Sequence, residues 1–466
     1  MDRLSPLDAL FLSQDTPNEP RQIASLVIFE PDGSPLTFDG LIQALNERLD
    51  IVPRYRQVPY KVPGGLGTPV WRDYPRFDVA HHVRRSALPK PGGRAELNEL
   101  VGRLVARRLE LDRPLWELYY IEGLENGAEA LLFKAHQALV DGSETIDLAQ
   151  VLLEETARVR DIPHHEWKAR PKPTGLGLLT GTIDRHVRHP GEAFAMAEYT
   201  LGRMRRSLPI VGRSQNPPKG ILSASLSRHR RFTSVSTDLA DYRTVRDGHG
   251  GTVNDVILAS IAGGIRGWML TRAERATAKT AIRAMVPMSV VSDEGLPTSL
   301  GSKVRGHLLS LPVGEANAVV RLHQVSYALK DHTETGSAVA ANKLASLPGF
   351  ATSTFHAVGA RVAESEASRA HQIVITNVPG PQETVYMAGE PVAAVYPCIP
   401  LTEHRAVSIG VTSYRGHVFY GITADREAVP DLDVLGQCIE DALAELVESV
   451  GAKKTRAPRG RLRPER

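Results

Sequence analysis

Cysteine is nearly absent from the sequence: only Cys398 and Cys438 occur among 466 residues. Two thiols so placed provide neither the ligand spacing of a metal site nor the density of a disulfide scaffold. The histidine pairs at 81–82 and 164–165 have no carboxylate or cysteine companions at ligand spacing. We therefore predict no metal site, and we expect both cysteines to be small buried hydrophobic residues.

Long apolar runs are also missing. No stretch of about 18 or more apolar residues occurs, which excludes a membrane-spanning segment. Residues 1–6 do not show a basic segment followed by an apolar one, the pattern of a secretory signal. We therefore expect the protein in the cytoplasm, or at the inner membrane surface as a peripheral protein.

Positive charge is unevenly distributed, although the net charge is only +3. Residues 156–231 contain 15 Lys or Arg against 5 Asp or Glu, and residues 451–466 contain seven basic residues against one acidic residue. Such stretches suit phosphate groups, an anionic membrane or a lipid-droplet surface; a solvated linker and a disordered tail are the alternative. No nucleic acid is expected as a partner, because the basic stretches lack a reader motif and interleaved aromatic residues.

The length and composition predict two large globular domains. A chain of 466 residues is too long for one ordinary core, and 42% hydrophobic with 23% charged residues is typical of globular proteins. We place the N-terminal domain at 1–155, a basic, proline-interrupted crossover linker at 156–230, the C-terminal domain at 231–450 and a basic tail at 451–466.

Both predicted domains carry helical and extended patterns, which indicates an α/β (α+β) fold. A strand is expected at 22–29, and a helix with its leucines on one face is expected at 37–49. A second strand, 116–121, leads through a Gly-containing turn into a short apolar run. In the second domain we expect strands at 281–290, 373–381, 406–412 and 417–423, and helices near 252–270, 316–331, 340–363 and 430–450.

The stretch Lys-Ala-His-Gln-Ala-Leu-Val-Asp-Gly at 134–142 carries the clearest chemistry. A neutral imidazole such as that of His136 accepts a proton near pH 7, because its unperturbed pKa lies close by. Asp141 can pair with an arginine, and Gly142 permits a turn with positive φ. Taken alone, such a stretch is more often a core histidine followed by a turn than a base on a braced loop.

Several other blocks occur with this stretch in a fixed order. They lie at 4–11, 77–85, 87–89, 111–116, 252–255, 285–290 and 376–381. With these blocks the sequence resembles, over nearly its whole length, the bacterial wax ester synthase/acyl-CoA:diacylglycerol acyltransferases of the chloramphenicol acetyltransferase-like superfamily. The hallmark of that family is His-His-x-x-x-Asp-Gly, which corresponds to 136–142 here.

The resemblance implies two chloramphenicol acetyltransferase-like domains with mixed sheets and a tunnel between them. Acyl-CoA enters as a substrate from one side and a diacylglycerol or long-chain alcohol from the other, with no metal or bound cofactor. A base deprotonates the hydroxyl, which attacks the thioester, while Asp141 mainly braces the loop. Asn254 and Asp255 lie near the tunnel or cap a helix, and Trp116 in the Pro-Leu-Trp block is expected to pack rather than to contact substrate.

The sequence departs from the hallmark at one position. Aligning Asp141 and Gly142 puts His136 at the first histidine and Gln137 at the second, which is the general base in the superfamily. An amide has no useful basicity. Three hypotheses follow: a transferase that uses His136 as base or relies on proximity and an oxyanion site, a pseudoenzyme that binds acyl-CoA or lipid, and a weak variant acting on a more acidic acceptor.

Overall fold

The computed structural model of the chain describes residues 2–31, 36–62, 68–140, 148–157, 167–171, 220–289, 304–334, 352–365 and 371–451. Strands and helices are numbered in chain order within these ranges. The strands are β1 (Gln22–Phe29), β2 (Gln57–Tyr60), β3 (Val70–Asp73), β4 (Val83–Ala87), β5 (Trp116–Glu122), β6 (Ala130–His136), β7 (Leu153–Glu154), β8 (Arg230–Asp238), β9 (Ile282–Ser289), β10 (Val304–Leu311), β11 (Ile373–Pro379), β12 (Tyr386–Met387), β13 (Glu390–Cys398), β14 (Val407–Tyr414) and β15 (His417–Asp425). The helices are α1 (Pro6–Gln14), α2 (Phe38–Arg48), α3 (Val79–His82), α4 (Arg94–Ala106), α5 (Leu148–Leu152), α6 (Leu239–His249), α7 (Val253–Thr271), α8 (Ala318–Glu334), α9 (Thr352–Ser365) and α10 (Leu432–Gly451).

Two mixed sheets organise these elements. The first has the order β4-β5-β6-β1-β13-β12-β7, and the second has the order β10-β9-β11-β14-β15-β8. Strands β2 and β3 form a separate two-stranded antiparallel sheet. Strands β4 and β5 run parallel in the first sheet, and β11 runs parallel to β9 and β14 in the second. We refer to the first sheet with α1–α5 as the N-terminal unit and to the second with α6–α10 as the C-terminal unit.

Most elements predicted from local patterns are found close to their expected positions. Of the helix expected at 340–363, residues 340–351 lie outside the described residues, and the described part is α9 (Thr352–Ser365). The strand expected at 22–29 is β1, and the helix expected at 37–49 is α2. The strand expected at 116–121 is β5. Helix α7 is almost entirely buried, which agrees with its apolar residues on every side.

Strand exchange between the units was not predicted. Strands β12 and β13 lie in sequence between β11 and β14 of the second sheet. Even so, β13 pairs antiparallel with β1 of the first sheet, for example Leu26 opposite Tyr396. The first sheet is therefore completed by residues from the C-terminal half of the chain. The domain boundaries predicted above stay predictions, because sheet order alone does not test them.

Strand β13 passes very close to the second sheet on its way to the first. A Cβ atom added to Gly421 of β15 would lie 1.8 Å from the carbonyl oxygen of Pro397, and one added to Gly410 of β14 would lie 2.7 Å from Pro397 Cβ. Glycine at these positions lets the two layers meet. The neighbouring Cys398 is buried, as predicted, whereas Cys438 is only partly buried.

None of the helices in the described ranges is long and apolar enough to cross a lipid bilayer.

The crossing of β13 over β15 yields a stability prediction. In Gly421→Ala, the new methyl group overlaps a backbone carbonyl that cannot move without disturbing β13. We expect a loss of unfolding free energy of about 1–3 kcal/mol or more, the range of overpacking, measured by urea denaturation. Gly451→Ala is the matched control, since no atom lies within 4 Å of its added Cβ; equal stability of the two variants would contradict the close approach.

Candidate active site

The hallmark stretch begins at the end of β6. His136 is the last residue of that strand and pairs with Gln22 of β1, and the amide of Gln137 continues the ladder by donating to the Arg21 carbonyl at 2.8 Å. Asp141 and Gly142 lie outside the described residues, so the brace that they were predicted to form stays a prediction.

A buried lysine fixes β6 against the end of α4. Lys134 Nζ donates to the carbonyl oxygens of Leu104 at 3.2 Å and Arg107 at 2.6 Å, and lies 3.0 Å from a carboxylate oxygen of Glu117. It thereby binds carbonyl groups that the end of a helix leaves free. The backbone that carries the motif is therefore anchored at Lys134, two residues before His136.

The imidazole of His136 has no lone pair to offer. Its Nδ1 accepts a hydrogen bond from the backbone N–H of Ala138 at 3.0 Å, so the proton of the neutral ring must sit on Nε2. Nε2 lies 4.0 Å from Asp15 Oδ2 and has no hydrogen-bond partner among the described residues. Burial lowers the pKa of His136 to about 3, and the positive charges of Arg21, Arg108 and Arg361 act in the same direction. The hydrogen bond to Nδ1, rather than the lowered pKa, argues against the hypothesis that His136 is the base, because it occupies the lone pair of the neutral ring.

Asp15 is the acidic residue near the other ring nitrogen of His136, Nε2. Its Oδ2 accepts from Arg108 Nε at 2.5 Å, and its Oδ1 accepts from the backbone N–H of Arg21 at 3.0 Å. The pKa of the Asp15 carboxyl is raised above its ordinary value by burial, although these hydrogen bonds and the charges of Arg108 and Arg21 act in the opposite direction. Asp15 was not identified from the sequence, where nothing linked it to the motif.

Gln137 is the first residue after β6. The strand ends at His136, and Gln137 lies in the turn that Leu139 closes by donating its N–H to the His136 carbonyl at 2.9 Å. Ala135 packs against an apolar cluster that includes Val140 of the motif and Ala360 of α9. Gln137 is completely buried, and neither atom of its carboxamide has a hydrogen-bond partner in the described part of the chain.

Arg361 of α9 contacts both the backbone at Gln137 and helix α1 of the N-terminal unit. Its Nη1 donates to the backbone carbonyl of Gln137, and its Nη2 donates to Asp8 Oδ1 of α1 at 2.5 Å. The guanidinium also lies 5.0 Å from the ring centre of Phe11, and both charged side chains are almost fully buried. Asp8 falls in a block that supported the resemblance, but no local pattern indicated Arg361.

Asn254 and Asp255 have different surroundings at the start of α7. Asp255 forms a capping box with Thr252 and accepts a hydrogen bond from Ser326 at 2.8 Å, which makes it a structural cap. Asn254 Oδ1 accepts from the side chain of Asn377 at 2.8 Å. This bond joins two of the blocks identified in the sequence, both within the C-terminal unit.

Trp116 is buried in the N-terminal unit. Its indole Nε1 donates to the Tyr55 carbonyl at 2.8 Å, and its ring stacks on that of His82 at a centroid distance of 4.7 Å. These contacts fit the packing role expected for the Pro-Leu-Trp block.

No group of three or more His, Cys, Asp or Glu side chains is placed to hold a metal ion within the described ranges. The tunnel expected between the domains stays a prediction, because the loop that follows the motif lies outside those ranges.

The Arg361 contacts yield a prediction about coupling between the units. Arg361→Met leaves the Asp8 carboxylate buried without its partner, which we expect to cost about 3–5 kcal/mol of unfolding free energy. Adding Asp8→Asn removes the stranded charge, so the double variant should lose less than the sum of the two single losses. A double-mutant cycle in urea measures this coupling; strictly additive losses would show that the ion pair does not join the units.

Comparison with known proteins identifies the family. The description "Wax ester synthase/diacylglycerol acyltransferase catalytic domain" matches residues 4–257, and "WS/DGAT C-terminal domain" matches residues 300–447. The probable diacylglycerol O-acyltransferase tgs1 of Mycobacterium tuberculosis is 30% identical over 99% of each chain, and tgs2 is 29% identical over 97% of this chain and 100% of its own.

Solved structures agree with this match. The wax ester synthase/diacylglycerol acyltransferase from Marinobacter aquaeolei has a TM-score of 0.67 and 25% identity, covering 96% of this chain and 100% of its own. The first condensation domain of the CDA synthetase, at 14% identity and a TM-score of 0.54 over 96% of each chain, shares the fold alone. The predicted two-domain fold with mixed sheets is confirmed, and the chain belongs to the wax ester synthase/diacylglycerol acyltransferase family.

Proposed function

We propose that this protein is an acyl-CoA-dependent O-acyltransferase that moves a long-chain acyl group to diacylglycerol, giving triacylglycerol, or to a long-chain alcohol, giving a wax ester. The observation that carries the proposal is the match of both family domains in order along the chain. The relatives are named diacylglycerol O-acyltransferases. Neither the family nor these relatives support the pseudoenzyme alternative.

The chemistry asks for three things from the protein. It must hold an alcohol against a thioester carbonyl, accept the proton of the hydroxyl and stabilise the oxyanion of the tetrahedral intermediate. A thioester is an activated acyl donor, so the reaction as written needs no metal or bound cofactor, and acyl-CoA is a substrate.

Gln137 suits the third task. A carboxamide carries two N–H donors that stay neutral at every pH, and side-chain amides serve as oxyanion donors in other acyl-transfer enzymes. At position 137 this group is buried, without a partner in the described residues, and its backbone is fixed by Arg361. We assign it to the developing oxyanion.

His136 then has a structural role in this proposal. Its Nδ1 is occupied by the hydrogen bond from the Ala138 amide. We propose packing for Trp116 and helix capping for Asp255, supported by their hydrogen bonds. The brace of the loop by Asp141 and Gly142 stays a proposal from the sequence. Asn254 is assigned to the link with Asn377.

Contact with an anionic membrane or lipid droplet stays a proposal. It rests on the basic residues of 156–231 and 451–466, most of which lie outside the described residues. Binding to anionic liposomes that weakens with added salt would support it, because exposed charges are screened.

Transfer itself is tested with labelled palmitoyl-CoA, dioleoylglycerol and hexadecanol. We expect labelled triacylglycerol or wax ester, together with free CoA detected by a thiol reagent. Gln137→Leu should lower kcat by about 10²–10³-fold, the effect of losing one oxyanion donor, with the KM for acyl-CoA unchanged.

Gln43→Leu is the matched control, since Gln43 is an exposed glutamine on α2. No labelled neutral lipid with either alcohol would overturn the proposed function. Unchanged kcat in Gln137→Leu would overturn only the role assigned to Gln137.

A further inference from the structure

Helix α9 packs against the hallmark stretch at Gln137 and Val140. Arg361 of this helix holds the Gln137 carbonyl, and Ala357 and Ala360 share an apolar cluster with Val140. His356 precedes Ala360 by one helical turn and therefore lies on the same side of the helix. It also lies about 7.5 Å along the helix axis from Arg361.

The imidazole of His356 is held by only one of its nitrogens. Nδ1 lies 2.6 Å from Thr376 Oγ1 of β11. Nε2 is buried and has no hydrogen-bond partner among the described residues. A buried polar atom left without a partner costs about 1–3 kcal/mol, so its retention needs an explanation.

His356 is almost completely buried on α9, next to Ala357 and one turn before Ala360. Burial alone lowers its pKa to about 3. The ring is therefore neutral at physiological pH, in the form that accepts a proton. An imidazole that is oriented at one nitrogen by a fixed side chain, with the other nitrogen left without a hydrogen bond in the described residues, is the arrangement of a general base.

We propose that His356 takes the place of the missing second histidine and accepts the proton of the acceptor hydroxyl through Nε2, oriented by Thr376. This inference rests on the proposed function and adds a catalytic residue to it. For Nε2 to be the acceptor, Nδ1 carries the proton and donates it to Thr376 Oγ1, which the 2.6 Å separation permits.

The proton and electron pairs balance in this scheme. The hydroxyl proton moves to Nε2 while the hydroxyl oxygen bonds to the thioester carbon, and the carbonyl electron pair moves to the oxyanion facing Gln137. When the intermediate collapses, the C–S bond breaks and the proton on Nε2 passes to the sulfur, releasing CoA and the ester. Because the ring is a weak base, we expect proton transfer to accompany formation of the C–O bond.

The test measures transfer from labelled palmitoyl-CoA to dioleoylglycerol and hexadecanol by the full chain and four variants. His356→Ala should lower kcat at least 10²-fold, the typical contribution of a general base, with unchanged KM for acyl-CoA. Added imidazole should restore part of the transfer. His356→Gln, which keeps the volume, should be equally impaired, and Thr376→Val should show a smaller fall.

His82→Gln is the matched control. His82 is also buried, with Nδ1 bonded to the Trp116 carbonyl, but it belongs to the core of the N-terminal unit, so kcat should hold in the folded variant. Thermal unfolding checks all four variants; where His356→Ala does not fold, His356→Gln and Thr376→Val decide.

The outcomes separate the two proposals. Transfer by the wild type that survives in folded His356 variants overturns the inference and leaves the proposed function standing. Loss of transfer that imidazole does not rescue in folded His356→Ala assigns His356 to packing and also overturns the inference. No transfer by the wild type overturns the proposed function, and the inference with it.

Discussion

The contact of Arg361 with Asp8 and with the carbonyl of Gln137 is the constraint on which the arrangement of the site depends. One guanidinium joins the N-terminal helix, the hallmark stretch and a helix of the C-terminal unit. Buried ion pairs contribute little net stability in general, but removing one partner is costly. We therefore infer that the main effect of this pair is to fix the position of α9 relative to Gln137 and α1.

This packing brings together the two elements that carry the polar side chains of Gln137 and His356. Gln137 and His356 lie on elements that Arg361 and the apolar cluster around Val140 hold together, and each keeps a buried polar atom without a partner in the described residues. His136, only one residue away from Gln137, has its Nδ1 engaged by the Ala138 amide. This hydrogen bond distinguishes a structural histidine from the position that the family uses for chemistry.

Much of the fold and the location of the site could be predicted from the sequence. Strand β1 and helices α2 and α7 follow from apolar spacing, and the order of the blocks predicted the family. The exchange of β13 could not be predicted, since alternation identifies a strand but not its partner. Arg361 lies 353 residues from Asp8, so no local pattern connects them. The loss of basicity at His136 depends on one hydrogen bond from Ala138, and the pairing of His356 with Thr376 depends on how α9 packs on β11.

We infer that His136, the histidine of the hallmark, is not the proton acceptor. Nitrogen-15 NMR of the imidazole rings measures this directly, because nitrogen shifts distinguish the two neutral tautomers from the protonated ring. We predict that His136 stays neutral from pH 8 to pH 5 with its proton on Nε2. A ring that carries its proton on Nδ1, or that titrates near its unperturbed pKa of about 6.5, would contradict the claim and return His136 to the role of base.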